Sequence, residues 1–236
     1  MKHGILFSLI ILFAVGCKNH SVAISEATVM KADTATFKAL FKELNFDSLR
    51  LVSNYDSFEN KNYFLSGVPL DTIYSSLFPD TIRQYGISFN PGLDQQFAVG
   101  RFALDQYHDG YLIRHHGEYN ASRITLVIYD KKQGRFTAEH IMLAENWGDD
   151  GDLTEISSIL TRHDNRLDIA MHINGSSHEP SDSTFNTLIQ GETNEVYKLE
   201  RGHLSKLSET VLKLDTVRMG GYDGPAPVAD STSAQK

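Results

Sequence analysis

From Gln96 onward, apolar and polar residues alternate in short runs separated by turn residues. The runs 97–104, 111–116, 123–129, 136–144, 154–162, 167–173, 184–189 and 195–200 read as strands, because alternation with period two marks a surface buried on one side. Ile124, Leu126 and Ile128 share one face of their run. Leu167, Ile169, Met171 and Ile173 do the same, opposite Asp168, Ala170, His172 and Asn174. Between the runs lie His108-Asp109-Gly110, Lys131-Lys132-Gln133-Gly134, Asp149-Asp150-Gly151-Asp152, His163-Asp164-Asn165 and Asn174-Gly175. Such links suit hairpins, whereas parallel neighbours need crossovers of about a dozen residues or more. The pattern therefore predicts a mainly β (α+β) fold, an antiparallel meander of about eight strands forming a curved sheet or a barrel. Residues 196–204 read as one more hairpin.

Upstream the period changes. Asp33-Thr34 reads as a helix N-cap, followed by Phe37, Leu40, Phe41 and Leu44 at i, i+3, i+4 and i+7. This predicts a short amphipathic helix ending near Asn45, whose apolar face belongs to a core. Residues 70–77 read as a second short helix closed before Pro79. Gly67, Pro69, Pro91 and Gly92 break the rest of 46–95 into turns and short extended pieces. The expected layout is one globular domain over 33–214, with a helix-and-loop part (33–95) and a β part (96–214). A Gly-, Pro- and Ser-rich tail of disordered composition follows over 215–236.

Composition narrows the partners. The net charge is −8, with 22 basic against 30 acidic residues, which argues against nucleic acid and against docking on anionic lipid through a basic patch. Cys17 is the only cysteine, so no internal disulfide is available and stability must come from a core.

The N-terminus carries the clearest local signal. Lys2 and His3 precede an 11-residue apolar run from Ile5 to Val15. Spanning a bilayer takes about 20 such residues, so the run suits a secretory leader. It ends in Ala14-Val15-Gly16-Cys17, which resembles the lipobox of bacterial lipoproteins, although Ala14 stands where that family favours a larger aliphatic residue. The resemblance implies a signal peptide over 1–16, lipid on Cys17, and a polar tether over 17–32. It also implies an exported protein anchored to the envelope, with the outer membrane favoured over the inner. An acylated Cys17 is no longer an exposed reactive thiol.

Candidate chemistry is sparse. Asn146-Trp147-Gly148-Asp149-Asp150-Gly151-Asp152 gathers carboxylates on a glycine-bent loop, as Ca²⁺ prefers, with Asp149, Asp150 and Asp152 as candidate ligands. Against an EF-hand loop, Gly148 falls on a ligand position and Ser157 stands where the closing Glu belongs. The same residues also make an ordinary solvated turn. His115 and His116 are adjacent and face opposite ways on a strand. His116, His140 and His172 would have to converge across strands to hold zinc. No HExxH, G-x-S-x-G or phosphate-loop spacing is present.

Eight of the eighteen aspartates are directly followed by Ser or Thr. Seven of these resemble the O-glycosylation signal of exported Bacteroidetes proteins, with Thr34, Ser48, Thr72, Thr81, Ser183, Thr216 and Ser231 as acceptors. Asp-Ser and Asp-Thr are equally good caps and turn starters. The sequence thus points to an envelope lipoprotein that binds or scaffolds a protein or glycan without catalysis. An anchored hydrolase acting through carboxylates, and a Ca²⁺-stabilised structural module, are the alternatives.

Overall fold

The computed structural model describes residues 32–53, 66–85, 95–116, 122–149, 152–180 and 186–219. In chain order it contains helix α1 (Thr34–Ala39), strands β1 (Ser48–Val52) and β2 (Val68–Pro69), a 3-10 helix (Thr72–Leu77) and helix α2 (Asp80–Tyr85). Eight further strands follow: β3 (Gln95–Ala103), β4 (His108–His116), β5 (Ser122–Asp130), β6 (Arg135–Asp149), β7 (Asp152–His163), β8 (Arg166–Pro180), β9 (Asn186–Glu200) and β10 (His203–Met219).

All ten strands belong to one antiparallel sheet in the order β10-β9-β8-β7-β6-β5-β4-β3-β2, an open meander with β10 and β2 at its ends. Of the two forms expected from sequence, the curved open sheet is the one adopted. β1 lies off this path. Residues 152–156 of β7 pair with β6, but residues 157–161 on the same edge pair with β1. β6 and β7 therefore separate past Ile156, and β1 fills the gap.

That separation lets the sheet fold over its own interior. One core cluster joins Phe102, Leu112, Ile124, Leu126 and Leu143 from the β3–β6 half to Leu51, Leu160, Leu167, Ile169 and Leu199 from β1 and β7–β9. At one end the halves also touch through polar groups. His203 Nδ1 lies 2.9 Å from Glu139 Oε1, and Arg162 hydrogen-bonds the carbonyl of Ala103.

The other face of β3–β6 is covered by the helices. Phe37, Phe41, Tyr74, Phe78 and Ile82 pack on Ala98, Tyr111, Ile113, Val127, Tyr129 and Phe136. Phe37 is the hub, with ring centroids 4.9 to 6.2 Å from those of Phe41, Tyr74, Phe78, Tyr111 and Phe136. β5 is consequently buried on both faces: Ile124, Leu126 and Ile128 in one core, Val127 and Tyr129 in the other.

Asp33 caps α1 as expected, its carboxylate accepting from the amides of Ala35 and Thr36. The helix stops at Ala39, earlier than its periodicity predicts, because the chain leaves it to follow β3. The Leu44 amide donates to the Arg101 carbonyl and the Arg101 amide to the Lys42 carbonyl. Gly100 permits this approach, since a Cβ there would lie 2.5 Å from Leu44 Cδ1. The expected second helix is the 3-10 helix, capped by Asp71, and α2 follows Pro79 where the sequence suggested only turns. The separate strands expected at 184–189 and 195–200 are a single strand, β9. β10 runs on to Met219, past Leu214 where the domain was expected to end.

Truncating Phe37 to Ala opens the aromatic layer that fixes the helices to the sheet, and should cost about 3 to 5 kcal/mol of stability. Urea unfolding of the variant against the parent measures this.

Candidate functional site

Where β6 and β7 separate, the outer face of β1, β7, β8 and β9 is exposed, polar nearest the β6–β7 hairpin and more apolar around Ile159, Ala170 and Val196. Strand pairing arranges its residues in rows, because directly opposed residues of antiparallel strands point the same way. One row runs Asn146, Glu155, Asn174, Glu192. The next runs Val52, Ser157, His172, Asn194, and the third Arg50, Ile159, Ala170, Val196.

Two adjoining hollows lie over these rows. The smaller, about 210 Å³, is lined by Arg50, Ser53, Glu145, Asn146, Glu155 and Asn174 among others. The larger, about 480 Å³, takes in Arg50, Ile159, Ala170, His172, Asn194 and Val196. Arg50 and His172 line both. The His172 ring is held by its neighbours, with Nδ1 2.9 Å from Asn194 Oδ1 and Nε2 3.5 Å from Glu192 Oε1. Asn174 Nδ2 reaches Glu155 Oε2 at 3.4 Å. Ser53 is buried at the floor and donates to the Ser122 carbonyl at 2.9 Å. The Arg50 side chain is exposed and makes no hydrogen bond or ion pair among the described residues.

Glu145 is the unusual group. It is buried, and among the described residues it pairs with Arg123, whose Nη2 lies 3.1 Å from Glu145 Oε1. Burial pushes its carboxyl above the ordinary value, and the Arg123 guanidinium opposes that rise without cancelling it.

The residues favoured by sequence lie beside this surface. Asp149 and Asp152 are Cα partners closing the β6–β7 hairpin, and Asp150 is outside the described residues. No group of three metal-ligating side chains occurs among the described residues. His140 Nδ1 is 3.0 Å from the Ala138 carbonyl, while His172 sits with Asn194 and Glu192, so the two are separately engaged.

Of the Asp-Ser and Asp-Thr positions, Thr34, Thr72 and Thr81 sit in the first turns of the helices. The preceding Asp33 and Asp71 act as caps. Ser48 opens β1 and Thr216 pairs with Ile189 on β10. Cys17, Ser183 and Ser231 lie outside the described residues.

Arg50, Glu145 and Glu192 carry no local signal in the sequence, whereas Asn146 belongs to the acidic run at 146–152 and His172 and Asn174 to the polar side of β8; nothing local joins them into one row. No protein-family description matches this chain, and neither a curated protein nor a solved structure matches it.

A carboxyl whose pKa is raised by folding binds its proton more tightly in the folded state than in the unfolded chain. Its favourable contribution is full below the ordinary value of 4.5 and is lost as pH rises through the raised one. Glu145→Gln, which keeps a polar neighbour for Arg123, should therefore gain stability relative to the parent between pH 4 and pH 7. Denaturant melts across that range test the sign.

Proposed function

We propose that this chain is a lipid-anchored envelope protein whose outer sheet face binds a glycan without turning it over. The observation that carries this reading is the Asn146-Glu155-Asn174-Glu192 row. Amides supply both donors and acceptors, and carboxylates accept two hydrogen bonds at once. An alternating row of the two matches the vicinal hydroxyls of a sugar chain better than it matches an apolar or polyanionic ligand. Arg50 and His172 at its border add donors, and the hollows are open to solvent, as an extended ligand requires.

The anchor reading rests on the apolar leader and Cys17. Among the described residues no helix is long and apolar enough to cross a membrane. Replacing Cys17 by Ala should abolish incorporation of labelled palmitate in cells and release the protein from the membrane fraction. Labelling that persists in the variant would remove the anchor.

A hydrolase is the second reading, favoured by Glu145 and Glu155 lining one hollow in different surroundings. A buried carboxyl with raised proton affinity beside an exposed carboxylate is the division that acid–base hydrolysis uses. Titration with soluble oligosaccharides separates the two. Binding should be saturable, should weaken about tenfold in the Glu155→Ala/Asn174→Ala double variant, and should release no new reducing ends. Release of reducing ends that Glu145→Gln abolishes would establish the hydrolase instead. An absence of binding across the panel would overturn the glycan reading.

A further inference from the structure

Three hairpin turns distant in sequence meet where the two halves of the folded-over sheet face each other. The β3–β4 turn contributes Gln106 and Tyr107, the β7–β8 turn Asn165, and the β9–β10 turn Arg201. Together with Asp105, His108 and Glu200 they enclose a hollow of about 370 Å³, a volume that fits a small ligand.

Several of its polar groups are already engaged. Asp105 accepts from the amides of Tyr107 and His108 at 2.6 and 2.8 Å and lies 2.9 Å from His108 Nδ1. Glu200 pairs with Lys198 at 3.0 Å. Arg201 differs: its side chain is exposed and makes no hydrogen bond or ion pair among the described residues, although, alongside Lys198, its charge helps hold the neighbouring Glu200 carboxyl below the ordinary value. By contrast Arg83, Arg114, Arg123, Arg135, Arg162 and Arg166 each donate to a carboxylate, amide or carbonyl oxygen.

The backbone adds an independent observation. Arg201 and Gly202 form a two-residue turn with φ of 53° and 74°. Positive φ at both centres is the type I′ pattern, in which the first position favours Asn, Asp or Gly. Gly202 is fixed by its surroundings, since a Cβ there would lie 2.6 Å from His108 Nε2. Arg201 is under no such packing demand. It is the only non-glycine among the described residues with positive φ, and a side chain there strains the backbone. Strain of this kind is characteristically retained at binding sites, where the side chain serves something other than stability.

We propose that this hollow is a second ligand site, distinct from the outer-face row, and that it takes a carboxylated sugar. The Arg201 fork meets the carboxylate, the amides of Asn165 and Gln106 meet ring hydroxyls, and the half-exposed ring of Tyr107 offers an apolar platform for the sugar face. Neither the outer-face row nor the anchor is needed for it.

The test uses the full mature chain, with glucuronate as probe and glucose as neutral control, followed by NMR shift titration. Glucuronate should saturate with a Kd below about 10 mM, and glucose should bind at least about tenfold more weakly. Arg201→Asn should cost about tenfold or more in glucuronate affinity while raising the thermal midpoint, because Asn suits the turn. A raised midpoint shows that the fold is intact, so lost binding is then lost recognition. Glu155→Ala should leave glucuronate binding unchanged. Equal binding of the two sugars, undiminished affinity in Arg201→Asn, or no glucuronate binding at about 10 mM would each overturn the proposal.

Discussion

Everything in this fold depends on how one edge of β7 is divided. Its first residues complete β6 and the next ones pair with β1, so the sheet is hydrogen-bonded continuously through Asp149 and Asp152 yet parts beyond Ile156. Without β1 the edge from Ser157 to Thr161 would hold unpaired amides and carbonyls, which sheets generally cover. With it, the β7–β10 half can turn over the β3–β6 half and bury Leu51, Leu160 and Ile169 against Leu112 and Leu126. A chain without disulfides acquires its core through this turn.

Folding over also sorts the surfaces. The β3–β6 half sits between two apolar layers, one contributed by the other half of the sheet and one by Phe37, Phe41, Tyr74, Phe78 and Ile82. Among the described residues the β1 and β7–β9 half has one apolar neighbour, and its outer face is exposed. Polar side chains can gather there in cross-strand rows without a desolvation penalty. Buried Glu145 lies at the seam where the halves separate.

The same folding over brings the β3–β4, β7–β8 and β9–β10 turns together around one hollow. Turns tolerate side-chain variety that strands do not, so a hollow among turns is a natural place for recognition on a rigid scaffold. Arg50 and Arg201 occupy corresponding roles in the two regions: each is a guanidinium exposed over a hollow, without an acceptor among the described residues.

Much of the architecture was legible along the chain. Alternation at Ile124, Leu126 and Ile128, and at Leu167 to Ile173, is local, and so are the Asp33 cap and the short turns. They sufficed for an antiparallel β domain with a short helix ahead of it. The gap expected between the runs 184–189 and 195–200 does not exist, because pairing with β8 on one side and β10 on the other makes Gly191 and Asn194 mid-strand. Helix α1 stops early because β3 captures residues 42–44. The second buried face of β5 was invisible, since Val127 and Tyr129 differ from exposed strand residues only in what the helices place above them. The Asn-Glu row and the Arg201 hollow were invisible for the same reason. Their residues come from separate strands and turns, and only strand register and the folding over of the sheet decide which of them meet. Local periodicity determines elements, whereas long-range pairing determines sites.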